Sequence, residues 1–200
     1  TCSGKLSGTH QSAVIAAEDY PGKVFVVDSR TIALGSAILT EYALGLAEQG
    51  MDAETIVWKL MQKREKVRLL AMLDTLEFLQ RGGRISKTAA IAGGMLGLKP
   101  VLSIEDGKIQ ALGKARGSKQ ANNLLAQEIE KAGGVDFTRP VLLGYTGLSD
   151  RLLQKYITDS ADLWQHSTDE LAYTIIGSVI GTHAGPGAIA VAFFSKSVSC

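Results

Sequence analysis

Several short polar stretches of this chain hold side chains that could grip an anion. Leu6-Ser7-Gly8-Thr9 stands directly before a segment that reads as a helix. The Ser7 and Thr9 hydroxyls and the free N–H groups around Gly8 would then meet at a helix N-terminus, a cradle for carboxylate or phosphate. The alternative is that Ser7 or Thr9 caps the helix and does nothing else. Arg81-Gly82-Gly83-Arg84-Ile85-Ser86 sets guanidinium groups beside a glycine-shaped nest, again suited to a carboxylate. The competing reading there is a helix C-cap followed by an N-cap with exposed arginines. Gly181-Thr182-His183-Ala184-Gly185-Pro186-Gly187 puts His183 in the least charged part of the chain, where a lone histidine serves either the core or a site. Asp28-Ser29-Arg30 reads as a local ion-pair turn, though it follows an apolar run, where α/β folds bind ligands. Lys114-Ala115-Arg116-Gly117-Ser118-Lys119 is either a phosphate holder or a solvated helix start.

The common enzyme signatures are absent from the sequence. It has no phosphate loop of the Walker type, no metalloprotease His-Glu pair, no nucleophile elbow and no dinucleotide fingerprint. The three histidines, His10, His166 and His183, are not spaced as metal ligands, so neither a metal nor another cofactor is expected. The two cysteines, Cys2 and Cys200, lie at opposite ends and do not make a disulfide framework or a zinc site, which suggests a reducing cytoplasm.

Composition narrows the classes further. Apolar residues at 46% and charged residues at 20% exclude a chain too polar to collapse. A net charge of +1 gives no field to attract nucleic acid or an anionic membrane. No apolar signal region follows the N-terminus. Residues 171–195 carry no Asp, Glu, Lys or Arg and are long enough to span a bilayer. The Gly-Thr-His-Ala-Gly-Pro-Gly loop breaks them in the middle, so they are expected as buried core crossing a site.

These residues need elements to hold them. Periodicity and turn chemistry predict a helix over 10–18, a buried strand over 23–27 and a helix over 33–49 closed by Gly50. Asp52 is expected to cap a further helix, and residues 63–66 to form its solvated end. A strand follows over 67–73, then a helix from Thr75 whose Asp74 and Glu77 have capping-box spacing. Ser86 would cap an alanine-rich helix. Glu105-Asp106-Gly107 joins two strands as a hairpin, and Ser118 would cap a helix ending at Gly133. Strands are expected over 141–145 and 188–194, with a helix starting at Ser149 or Asp150. Residues 170–181 fit either one helix or a strand followed by a helical turn.

Taken together, Leu6-Ser7-Gly8-Thr9, Asp28-Ser29-Arg30-Thr31, Leu73-Asp74-Thr75-Leu76-Glu77-Phe78-Leu79, Arg81-Gly82-Gly83-Arg84-Ile85-Ser86, Leu98-Lys99-Pro100-Val101-Leu102, Lys114-Ala115-Arg116-Gly117 and Gly181-Thr182-His183-Ala184-Gly185-Pro186-Gly187 resemble DegV proteins in content and order. The resemblance covers essentially the whole chain. It implies a bacterial two-domain α/β fold: residues 1–65 as the remainder of an N-terminal α/β domain with parallel strands, and 66–200 as a C-terminal domain with a mixed sheet and packed helices. The His183 segment would return to a ligand site between them. Family members usually carry a further segment ahead of the Ser-Gly-Thr loop, so the N-terminal domain is expected to be incomplete here.

The same resemblance implies a non-catalytic protein that binds a long-chain fatty acid and presents its carboxylate to the ATP-binding subunit of a fatty acid kinase. Ser7, with Gly8 and Thr9, would bind the carboxylate, and Arg84 and His183 would belong to the polar network around it. Nucleic acid and stable membrane insertion are not expected. Physical chemistry supports a lipid: each buried methylene contributes about 0.8 kcal/mol, while a buried carboxylate must be hydrogen-bonded. The competing classes are a phosphotransferase or hydrolase using His183 with arginine anion clamps, and a purely structural module.

Overall fold

The computed structural model describes residues 1–85, 97–165, 167 and 170–196. Its centre is a six-stranded mixed sheet in the order β3-β2-β1-β6-β4-β5. The strands are β1 (Val67–Met72), β2 (Leu98–Glu105), β3 (Lys108–Arg116), β4 (Leu142–Tyr145), β5 (Tyr173–Ile175) and β6 (Ile189–Phe194). Only β4 and β5 run parallel; the other neighbours are antiparallel.

Alternation along the strands assigns the two faces. Leu70, Met72, Val191 and Phe193 pack with α5 (Gly117–Lys131) and α6 (Arg151–Asp159). Their neighbours Leu69, Ala190, Ala192 and Phe194 face the other way, toward α2 (Ala33–Glu48). A third cluster, Leu73, Leu76, Leu79, Leu102 and Ala188, fills one end of the sheet beneath the short helix α4 (Glu77–Arg81) and α8 (Ser178–Ala184). Helices α1 (Thr9–Ala17), α3 (Ala53–Lys63) and α7 (Ala161–Trp164) complete the set among the described residues. Residues 170–181 resolve into β5 followed by the start of α8.

Some local chemistry matches the sequence reading. The Asp52 carboxylate accepts the Thr55 N–H at 2.8 Å and starts α3. Asp106 and Gly107, at φ 46° and 75°, form the tight turn between β2 and β3.

Other expectations fail for identifiable reasons. Residues 23–27 form no strand, and Val24 and Phe25 are exposed. The Lys23 and Val24 N–H groups turn back onto the Tyr20 carbonyl, and the Val27 carbonyl is taken by the Thr1 ammonium and hydroxyl. With no ladder, the apolar run has nothing to bury it. Asp74 does not cap α4; it pairs with Lys99, and the Glu77 N–H goes to the Thr75 hydroxyl instead. Ser118 lies inside the first turn of α5, whose cap residue is Arg116. Residues 64–66 form a 3₁₀ turn, but the Arg64 side chain is largely covered rather than solvated, donating to the Asp28 carbonyl at 2.6 Å. The helix expected after Ser86 lies outside the described residues. No helix among the described residues is long and apolar enough to cross a membrane.

Candidate functional site

On the α2 side of the sheet, the wall formed by β1 and β6 is built partly from alanines. Ala71 on β1 stands opposite Ala190 on β6 and Leu102 on β2, and Ala188 lies just ahead of β6. Small side chains at these adjoining positions leave space that leucines or valines would fill. The result is a cavity of about 210 Å³, floored by these strands and roofed by α8 and the N-terminal loop. Leu69, Leu73, Ile104, Ile176 and Ile180 supply much of its apolar wall.

Ser7, Thr9, Arg84 and His183 all border this one cavity. They come from three separate parts of the chain. Gly8 is the cap residue of α1 and lies beside the cavity rather than in its wall. Among the described residues no carboxylate lines the cavity. An anion placed at its polar rim therefore meets donors and no repelling charge.

Each side chain is held by its surroundings. The Ser7 N–H donates to the Ser3 carbonyl at 3.1 Å, and Ser3, fully buried, donates its hydroxyl to the Gly107 carbonyl at 2.8 Å. The N-terminal loop is thereby fixed to the β2–β3 turn. The Ser7 hydroxyl lies 2.9 Å from that of Thr9 and accepts the Thr9 N–H at 3.3 Å. It thus serves the start of α1 while facing the cavity. Arg84 follows the Gly82-Gly83 end of α4; its N–H closes onto the Leu79 carbonyl at 2.9 Å and its guanidinium onto the Gly82 carbonyl at 2.6 Å.

His183 sits in the last turn of α8, whose end is pinned by the buried Thr146. The Thr146 hydroxyl donates to the Gly185 carbonyl at 2.6 Å and accepts the Ala188 N–H at 2.9 Å. The His183 ring rests on Gly82, and its Nδ1 is buried without a hydrogen-bond partner. A buried polar ring atom without a partner costs stability.

Two other stretches stand apart. Asp28 accepts the Arg30 N–H at 2.8 Å, and Arg30 pairs with Glu65, a local turn away from the cavity wall. Lys114, Ala115 and Arg116 end β3, and Gly117 opens α5. Sequence reading missed Cys2, Ile32, Val179 and the alanines of the cavity wall. The signal for the alanines was present: Ala188-Ile189-Ala190-Val191-Ala192 alternates small and large, so one face of β6 is thin. Among the described residues no group of three or more His, Cys, Asp or Glu could hold a metal.

A mixed α/β sheet protein with an apolar cavity and a small polar rim is a recognisable class, that of proteins enclosing a ligand with one polar end. The family profile described as "Uncharacterised protein, DegV family" matches residues 1–196, and the chain belongs to the DegV family. A DegV domain-containing protein of Caldanaerobacter subterraneus is 36% identical over 194 residues, covering 96% of this chain and 68% of that protein. The chain thus spans about two thirds of that relative's length.

Solved structures share the fold, and two of them illustrate it. A fatty-acid-binding DegV family protein of Thermus thermophilus superposes with a TM-score of 0.84 at 32% identity, over 97% of this chain and 69% of that one. The Streptococcus pneumoniae fatty acid kinase B3 protein, loaded with linoleic acid, gives a TM-score of 0.84 at 26% identity, over 98% of this chain and 70% of that one.

Proposed function

We propose that this chain binds one long-chain fatty acid, its tail in the alanine-floored cavity and its carboxylate at Ser7, Gly8, Thr9, Arg84 and His183. The observation that carries the reading is the junction itself: a cavity walled by aliphatic side chains, free of carboxylates among the described residues, with two hydroxyls, a guanidinium and an imidazole at its border. A tail gains about 0.8 kcal/mol per buried methylene. The charged head is satisfied only where donors converge. In this reading residues 1–65 supply the hydroxyl rim, residues 66–200 supply the floor, and the two parts act as domains on either side of the ligand.

The protein is then a non-catalytic cytoplasmic carrier in lipid transport or fatty acid metabolism, presenting the carboxylate to the ATP-binding subunit of a separate fatty acid kinase. The likeness to the pneumococcal fatty acid kinase B3 protein supports that partner. Denaturing mass spectrometry of the purified protein after organic extraction is the test. A stoichiometric long-chain fatty acid is the expected result. A protein that carries none, and takes up none when offered, overturns the reading; the kinase step is checked by acyl phosphate formation with ATP and a cognate kinase subunit.

A further inference from the structure

We propose that Leu69 and Ile104 form the stop that sets the longest acyl chain this cavity accepts, an inference that rests on the fatty-acid reading above. Strands β1 and β2 are laddered over only three residue pairs, Leu70↔Ser103, Ala71↔Leu102 and Met72↔Val101. Beyond Leu70 and Ser103 the two strands part, and Leu69 and Ile104 stand at the fork. Both residues, with Ser103, line the apolar cavity on one side and a second cleft of about 450 Å³ on the other.

The two spaces differ in chemistry. The second cleft is walled by Arg30, Arg64, Glu65, Arg68, Glu105 and other charged groups. Arg30 and Glu65 pair at 3.0 Å, and the Ser103 hydroxyl donates to Glu105 at 2.7 Å. A methyl terminus pushed through the fork would displace Ile104 and strip water from these charged groups without replacing its hydrogen bonds. The fork is therefore a barrier by shape and by polarity.

It also lies away from Arg84 and His183. Arg84 and His183 belong to the end of the sheet marked by Leu73, Leu79 and Ala188. From Leu73 back to Leu69 the chain advances four residues, about 13 Å of extended strand. A tail that runs along β1 from Arg84 and His183 meets Leu69 and Ile104 before it can enter the charged cleft. Leu69 is buried and firmly packed, whereas Ile104 is partly buried, one residue past the last β1–β2 pair and held on its other side by Ile109 of β3. Ile104 is the side chain to trim.

Lipid-stripped protein is offered an equimolar series of saturated acids from lauric to behenic, and the retained acids are read by denaturing mass spectrometry. Wild-type protein should show a sharp upper limit. Ile104→Ala should move that limit to longer acids, with a gain of about fourfold for each further methylene accommodated. Ile104→Val, which disturbs packing less, should move the profile in the same direction by a smaller step. A wild-type protein that retains acids without an upper limit, or an Ile104→Val profile identical to a selective wild type, overturns the stop. Retention of no acid by the wild type overturns the fatty-acid reading itself.

Discussion

The His183 ring lies directly on Gly82, with its Nδ1 buried and unpartnered against that glycine. Gly82 has an ordinary helical backbone at φ −75°, so an alanine there meets no φ strain; its Cβ would run into the imidazole first and come within 3.2 Å of the Phe78 carbonyl. Gly82→Ala should therefore push His183 out of place, at an overpacking cost of about 1–3 kcal/mol, and weaken fatty acid binding. Its neighbour is the control. Gly83 has φ 70° and open space around its Cβ direction, so Gly83→Ala should lose about 1–2 kcal/mol of stability while binding changes little. Thermal melts and titration with a fluorescent fatty acid separate the two; equal effects of both variants on binding would detach His183 from the site.

The Ser7 hydroxyl has two possible employments, and a single substitution distinguishes them. It already serves Thr9 at the start of α1. If it also donates to a carboxylate, Ser7→Ala should weaken acyl binding by roughly 1.5–3 kcal/mol, about 10- to 150-fold. Unchanged affinity would leave it the helix role alone. Arg84, exposed at the rim, should act more on presentation than on retention of the tail. Arg84→Ala is expected to lower the rate of acyl phosphate formation with a cognate kinase while lipid still co-purifies, and a wild-type rate would remove Arg84 from the head-group network.

The cavity floor can be filled without unfolding the sheet. Ala190 faces the cavity from near the start of β6, a central strand of the sheet, opposite Ala71. Valine suits a central strand, and its two extra methyl groups enter space that is already present. Ala190→Val should leave the melting temperature unchanged or raised, yet reduce the fatty acid recovered by mass spectrometry at least severalfold. A drop in stability with retained lipid would mean that the cavity is not where the tail lies.

What could be read from the sequence was chemistry local to a few residues. Asp52 three residues ahead of Thr55, Asp106-Gly107 between two strands and Gly83 after α4 each signal their geometry within one turn of chain. The errors arose where a distant partner decided. Asp74 had the spacing of a cap, but Lys99 on β2 claims it. Residues 23–27 had the composition of a buried strand, but their hydrogen bonds go to Tyr20 and Thr1 rather than to a neighbouring strand. The site divides in the same way. Ser7, Thr9, Arg84 and His183 were visible as polar loops, each with a bland alternative, and it is the fold that sets them around one cavity. The alternation of small and large residues over 188–192 shows one thin face of β6, but that Ala71 on β1 adjoins Ala190 there is set by strand pairing, which no local pattern expresses.

Acid sensitivity should trace in part to Asp159, at the C-terminal end of α6. Its carboxylate receives Lys155 at 2.9 Å and the amide of the buried Asn122 at 2.7 Å, tying α6 to α5. The Lys155 ammonium first, and then the Asn122 amide, hold its pKa below the ordinary carboxylate value. A carboxylate whose pKa is lower folded than unfolded stabilises the fold at pH values above the unfolded one, near 4. That stabilisation is lost as pH falls through the lowered folded value. The Asp159→Asn variant should therefore melt below the wild type at neutral pH. The gap should narrow as pH falls below about 4 and close under stronger acid, where the wild-type carboxyl is protonated. Thermal melts of both proteins across that range supply the measurement. A gap of constant size throughout would assign the loss to packing between α5 and α6 rather than to charge.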